Sequence, residues 1–282
     1  MTMEFSKYEA TGNDFILVDG LSTEPELSGA AIRELCDRRR GVGADGVILM
    51  LPSRVSDLRM RIFNADGSEA EMCGNGIRAL SLFAIDRGIL EGPQIIVETA
   101  AGEKTVKLSG VRDDGTVFTV DMGKPSLLRG EIPMGGPPDT EPIGIDLPID
   151  GGALKATCVS MGNPHCVIFV ENVGDCPVAD IGSRVENHVL FPERTNVELV
   201  EVSNKERLMA RVWERGVGET LACGTGACAS LVAAKLNGMC GDRADVVLPG
   251  GSLEVMWDQG PVFLSGPARH VYDGTIEVAG GR

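Results

Sequence analysis

Short apolar runs separated by polar, glycine-broken loops dominate the chain, and most of these runs are too short for helices. "DFILVDG", "GVILML", "RMRIFNA" and "IIVETAAGEKTVKL" in the first half predict strands, as do "HCVIFVEN", "TNVELVEV", "RLMARVWE" and "DVVLPGGSLEVMW" in the second. They are rich in β-branched residues or alternate in polarity. Helical periodicity is scarcer. "SGAAIRELCDRRRG" predicts a helix with Ser28 as N-cap and Gly41 as stop, and "VADIGSRVENHV" predicts another. Two further segments, Asn75 to Arg87 and Thr225 to Asn237, are apolar nearly all round and end at Gly88 and Gly238. A helix without a polar face is buried on several sides, so each predicts a central helix wrapped by the strands of its own half. The Pro- and Gly-rich stretch "KPSLLRGEIPMGGPPDTEPIGIDLPIDGG" predicts irregular connection between the halves.

The halves repeat one plan at an offset of 150 positions. "RIFNADGSEAEMCGNGIRA" from Arg61 aligns without gaps on "RVWERGVGETLACGTGACA" from Arg211, matching Glu69 with Glu219, Cys73 with Cys223, Gly74 with Gly224 and Gly76 with Gly226. Upstream, Gly12 and Asn13 fall opposite Gly162 and Asn163. A duplication that carries its strands and its central helix together predicts an α+β fold of two pseudo-symmetric lobes. Each lobe is a mostly antiparallel or mixed sheet around a buried helix, and the two face one another across a cleft. The expected domains are residues 1–116, completed by a C-terminal strand at 268–282, and residues 117–267.

Each copy places a cysteine just before its apolar helix. There a thiol meets unsatisfied backbone N–H groups at the positive end of a helix dipole, which predicts a lowered thiol pKa and a thiolate fraction near neutrality. The backbone N–H groups of Gly74, Asn75, Gly224 and Thr225 predict a carboxylate site between two helix ends. Two such thiols, related by approximate two-fold symmetry, predict one proton acceptor and one proton donor on opposite faces of a carbon. Removing a proton from one face and returning one to the other inverts a stereocentre, with no cofactor required.

Composition narrows the partners. A chain of 282 residues that is 43% hydrophobic builds its own core, and a net charge of -15 argues against phosphate backbones and anionic lipid as ligands, so neither nucleic acid nor membrane is expected. No run approaches the roughly 18 to 20 apolar residues of a membrane span, and the N-terminus lacks an apolar signal core, so the expected location is the cytoplasm. Eight cysteines without regular spacing predict free thiols rather than a disulfide framework. The absence of a C-x2-C pair, with only three histidines, predicts no metal site. Cys36, Cys158, Cys166, Cys176, Cys228 and Cys240 read as small hydrophobes, with Cys166 and Cys228 as candidates to line the site.

The blocks "GNDFILVDG", "GVGADGV", "RIFNADGSEAEMCGNGIRAL", "SMGNPHCVIFV", "FPERTNVELV", "RVWERGVGETLACGTGACA" and "LPGGSLEV" span nearly the whole chain, and in them it resembles the diaminopimelate epimerases, within the wider group that includes proline racemase. The resemblance implies cofactor-independent interconversion of LL- and meso-diaminopimelate, feeding lysine and peptidoglycan synthesis, by a homodimer with Cys73 and Cys223 as the two bases. It implies substrate binding by Asn13, Asn64, Asn75, Asn163, Asn196, Glu214 and Arg215 together with the helix starts at Gly74, Gly224 and Thr225. His165 and Glu214 are implied beside the reacting amino group. Two positions depart from the family: Ala10 stands where most relatives carry glycine, and Gly46 where some carry a substrate-touching glutamine. Under the offset, Asn64 falls opposite Glu214 and Gly46 opposite Asn196, so the scaffold is symmetric while the polar lining has diverged. An epimerase of another amino acid and a non-catalytic amino-acid-binding protein are the competing readings. A cysteine hydrolase fits less well, because it needs one nucleophile and a dedicated base.

Overall fold

Strand-forming runs in the first half become β1 (Thr2–Ala10), β2 (Asn13–Asp19), β3 (Gly46–Leu51), β4 (Leu58–Asn64), the short β5 (Glu69–Ala70), β6 (Gln94–Thr99), β7 (Gly102–Arg112) and β8 (Gly115–Asp121). Helices α1 (Gly29–Cys36) and α2 (Gly74–Asp86) interrupt them. The second half supplies β9 (Ile145–Ile149), β10 (Gly152–Ser160), β11 (Pro164–Phe169), β12 (Asn196–Asn204), β13 (Arg207–Glu214), β14 (Gly218–Thr220), β15 (Arg243–Leu248), β16 (Gly251–Trp257) and β17 (Val262–Glu277), with helices α3 (Val178–Glu186) and α4 (Gly224–Leu236). The structure, a computed structural model, describes residues 2–149 and 152–278, so positions 279–282 of the expected C-terminal strand lie outside the described residues. The chain divides into two units, Met1–Val120 with Ser265–Arg282, and Asp121–Leu264.

In the first unit β1 runs antiparallel to β2, β2 parallel to β3, and β3 antiparallel to β4. β4 then takes β5 antiparallel and β6 parallel, and β6, β7 and β8 continue as an antiparallel meander. The second unit repeats this order from β10 through β16, with β11 and β12 parallel and β13 parallel to β15. Even the register repeats at the same offset. Phe15 pairs with Gly46 as His165 pairs with Asn196, and Leu49 pairs with Arg61 as Leu199 pairs with Arg211. An ion pair from each sheet secures the short strand before each central helix, Arg61 to Glu69 at 2.8 Å and Arg211 to Glu219 at 2.7 Å.

The two apolar helices are enclosed within their own units. α2 packs on β1, β2, β3, β4 and β7, and α4 on β10, β11, β12, β13, β15 and β16. Every residue of α2 from Gly74 to Ala84 is buried. Both helices end as the sequence predicts, at glycines in the left-handed region, Gly88 (φ 65°) and Gly238 (φ 69°), where a side chain would be strained.

Other expectations need correction. "IIVETAAGEKTVKL" and "DVVLPGGSLEVMW" are each a hairpin rather than a strand, because the glycines that close the turns, Gly102 and Gly251, take positive φ. α1 stops at Cys36, short of Gly41, because Asp37 leaves the helix and its carboxylate accepts the N–H groups of Arg39 and Arg40. The stretch read as irregular contains β9, which pairs with β10. β1 escapes a hydrophobic-alternation reading because it buries Ser6 and Lys7. The Lys7 ammonium donates to the Gly43 carbonyl and sits 2.6 Å from Asp14.

Burial alone would raise the Asp14 carboxyl, but hydrogen bonds from Arg38 and Lys7 and the two positive charges outweigh it and hold the pKa at about 2. A depressed folded-state pKa gives stability that is complete above the unfolded value and lost as protons are taken up. Acid titration from pH 5 to pH 2 is therefore expected to weaken the first unit, and Asp14→Asn to flatten that part of the profile, as measured by the pH dependence of the urea midpoint. Among the described residues no helix is long and apolar enough to cross a membrane.

Candidate active site around the two capping cysteines

Cys73 and Cys223 are the N-caps of α2 and α4, in nearly the same backbone geometry: φ −138°, ψ 120° and φ −131°, ψ 116°. Extended backbone at the cap turns each side chain back over the first helical turn. Cys73 Sγ accepts the Gly76 N–H at 3.4 Å, and Cys223 Sγ accepts the Gly226 N–H at 3.3 Å. Position 76 or 226 must be small, since a methyl group on Gly76 would lie 3.0 Å from Ile48 Cδ1 and one on Gly226 only 2.9 Å from Glu198 Oε1.

Around Cys73 the polar groups form a line of amides ending in charge. Asn75, nearly fully buried, donates to Asn13 Oδ1 at 2.6 Å, and Asn13 donates to Asp45 Oδ2 at 3.0 Å. Arg78, also fully buried, donates to Asn75 Oδ1 at 2.9 Å, to Thr11 Oγ1 at 2.8 Å and to the Gly74 carbonyl at 3.0 Å. Asn64, the last residue of β4, is exposed and donates to Ser68 Oγ at 3.0 Å.

Around Cys223 the chemistry differs. Its sulfur lies 3.4 Å from Thr225 Oγ1, which accepts from Asn163 Nδ2 at 3.4 Å. Asn163 Oδ1 is 2.9 Å from His165 Nε2, and His165 Nδ1 is 2.7 Å from Glu198 Oε1. Next to this line, Asn196 accepts the Arg215 N–H at 2.9 Å while Thr220 donates to Glu214 Oε1 at 2.6 Å. Glu186 of α3 holds the turn after β13 from below, accepting from Trp213 Nε1 at 2.7 Å and the Gly216 N–H at 2.9 Å. Asn163, His165, Thr225 and Cys223 are thus joined in one unit, and Asn13, Asn75 and the helix start after Cys73 in the other.

The expected lowering of the thiol pKa does not hold for Cys223. Burial pushes this thiol well above its ordinary value, with the Glu214 carboxylate adding to the effect, and the Thr225 hydroxyl and Gly226 N–H only partly oppose it. Desolvation outweighs the helix end because Cys223 is buried, with only 6% of the residue exposed. Cys166 and Cys228, expected as possible lining, are fully buried in the core instead.

Sequence reasoning passed over Glu198, Arg78, Asp45 and Glu186. For Glu198 a signal existed: it is a carboxylate inside the apolar run "NVELV", and the offset sets it opposite Ile48. The same offset sets His165 opposite Phe15, Thr225 opposite Asn75 and Arg78 opposite Cys228. A buried cation thus belongs to the helix of the first unit and a buried carboxyl to the sheet of the second.

A family model described as diaminopimelate epimerase matches residues 5–128 and 157–271. A diaminopimelate epimerase of Desulforudis audaxviator is 50% identical over 277 residues, covering 96% of this chain and 98% of that one. One from a Cyanothece species is 50% identical over 287 residues, covering 98% and 100%. Among solved structures, a hydroxyproline epimerase from Agrobacterium vitis superposes with a TM-score of 0.70 at 14% identity, covering 98% of this chain and 92% of that one. A PhzF-family phenazine biosynthesis protein from Bacillus anthracis gives 0.69 at 19%, covering 99% and 100%. At those identities the two structures speak for the fold alone.

Proposed function

The chain belongs to the diaminopimelate epimerase family, and from that premise we propose that Cys73 and Cys223 exchange the α-proton of diaminopimelate, interconverting the LL and meso isomers on the route to lysine. The protein is an isomerase acting on a small molecule. The observation that carries the residue assignment is the recurrence of one cysteine-capped, enclosed helix in each unit with matching cap geometry. A duplicated scaffold that keeps both thiols while its polar lining diverges suits two-base chemistry at one carbon.

Inversion needs a thiolate on one face of the α-carbon and a thiol on the other. Burial and Glu214 favour the protonated form of Cys223, which suits it to the donor role when Cys73 is the acceptor. One turnover leaves the roles exchanged, and the reverse reaction starts from that form. The N-termini of α2 and α4 bind the reacting carboxylate through the N–H groups of Gly74, Asn75, Gly224 and Thr225, where they also stabilise the carbanion. Glu214 receives a substrate ammonium, which cancels its push on the Cys223 thiol. Arg215 and the asparagines Asn13, Asn64, Asn163 and Asn196 take the remaining charged groups. Following the same resemblance, we place the enzyme in the cytoplasm as a homodimer that needs no cofactor.

The test is incubation of the purified protein with LL-diaminopimelate in D2O without added cofactor. Each inversion is expected to place one deuterium at the α-carbon of the meso product, while proline and glutamate run in parallel stay unlabelled. Inversion that carries the substrate's own hydrogen across would sink the two-base reading. Labelling of proline or glutamate would favour a broader racemase.

A further inference from the structure

Glu198 is the carboxyl group that the two-base chemistry leaves without a task. It projects from the third residue of β12, is fully buried, and lies beneath the first turn of α4, where a methyl on Gly226 would touch it. Oε1 meets His165 Nδ1 at 2.7 Å, while Oε2 has no hydrogen-bond partner among the described residues. His165 is equally buried, and its other nitrogen faces an oxygen as well, Asn163 Oδ1 at 2.9 Å.

An imidazole with an acceptor on both sides restricts the protons. Nε2 must carry hydrogen to bond Asn163 Oδ1, and a hydrogen must also lie between Nδ1 and Glu198. The pair therefore holds two protons and is neutral in sum. An ionised Glu198 would leave a bare carboxylate oxygen in a dry interior, an arrangement that buried ion pairs do not repay without further donors. A protonated carboxyl donating to Nδ1 leaves only a carbonyl oxygen there, and burial raises the Glu198 carboxyl in the same direction. From His165 onward every donor in the line then points the same way. Nε2–H meets Asn163 Oδ1, Asn163 Nδ2–H meets Thr225 Oγ1, and the Thr225 hydroxyl hydrogen is left for Cys223 Sγ at 3.4 Å.

We infer that Glu198 is a positioning residue: as a neutral carboxyl it fixes the His165 tautomer, which through Asn163 aims the Thr225 hydroxyl at the Cys223 sulfur. This rests on reading Cys223 as one of the two proton carriers. The line supplies a hydrogen bond that a buried sulfur with a raised pKa needs when it gives up its proton. It belongs to one thiol only. At the equivalent positions the first unit has Ile48, Phe15 and Asn75, and its Asn75 donates to Asn13 instead.

The test compares Glu198→Gln with Glu198→Ile, the latter reproducing the residue of the other half. A glutamine amide can still donate to Nδ1, so Glu198→Gln should keep kcat within about threefold. Glu198→Ile orphans Nδ1 and should lower kcat about tenfold, the scale of one buried hydrogen bond, with KM nearly unchanged. A second readout is independent of turnover. In the Cys73→Ala background, the rate of Cys223 modification by iodoacetamide, followed by peptide mass against pH, should shift upward by about half a unit to one unit in Glu198→Ile. It should shift little in Glu198→Gln. Circular dichroism confirms that each variant is folded before it is scored. The inference is overturned if Glu198→Ile keeps kcat within twofold, if Glu198→Gln falls as far as Glu198→Ile, or if the alkylation pKa of Cys223 drops, as removal of a charged carboxylate would cause. Because alkylation reports the sulfur whether or not it is catalytic, failure of the two-base reading in D2O remains a separate result.

Discussion

Cys73→Ala and Cys223→Ala are each expected to lose about 10^4-fold in kcat for epimerisation, the upper range of what one positioned acid or base contributes. Inversion needs both faces of the α-carbon served, so neither sulfur can substitute for the other. Each variant keeps one thiol and should still wash deuterium from D2O into only one of the two isomers, with retention of configuration, the labelled isomer differing between the variants. The fold survives, since each sulfur caps its helix with one long contact, 3.4 Å at Gly76 and 3.3 Å at Gly226, and losing a cap costs about 1 kcal/mol. Serine sharpens the comparison. It is a better N-cap than cysteine, so Cys73→Ser and Cys223→Ser should melt no lower than the parent, yet a hydroxyl is far too weak an acid to serve as thiolate. Stereochemical analysis of product by chiral chromatography, beside mass spectrometry for deuterium, checks both parts. Full turnover in either alanine variant would remove that cysteine from the mechanism.

Arg78→Ala is expected to produce the largest loss of stability of any single change in the first unit, about 3 to 5 kcal/mol. The guanidinium is fully buried and donates to Gly74 O, Asn75 Oδ1, Thr11 Oγ1 and, at 3.4 Å, Pro267 O. It therefore ties the first turn of α2 to the β1–β2 connection and to β17. Removing it opens a cavity of arginine size and strands those acceptors in a dry interior. At roughly 2 to 4 °C of melting temperature per kcal/mol for a chain of this size, the shift should be on the order of 10 °C. Lysine should restore little, because one ammonium cannot reach acceptors spread around a planar fork. Calorimetry of the purified variants decides the matter, and a loss under about 1 kcal/mol would show that the pocket relaxes around the gap.

Much of the architecture was legible in the chain because it is written twice. The repeat at 150 positions exposed both central helices, their caps and their terminal glycines, and the register of the paired strands obeys the same offset. Where legibility failed, local pattern and burial disagreed. β1 was obscured by the buried Lys7 and Ser6, and the two hairpins by turn glycines embedded in apolar runs.

Sequence alone determined the class of chemistry: two cysteines at two enclosed helix starts, amides and charges suited to an amino acid, and membership of one family. It could not determine what each thiol experiences. That is set by groups distant along the chain, since the walls that bury Cys223 and the Glu214 carboxylate arrive from separate strands and together raise its pKa against the helix end. Desolvation and Coulomb energy depend on distance through space, and only the packed units bring Glu198 to His165 and Arg78 to Thr11.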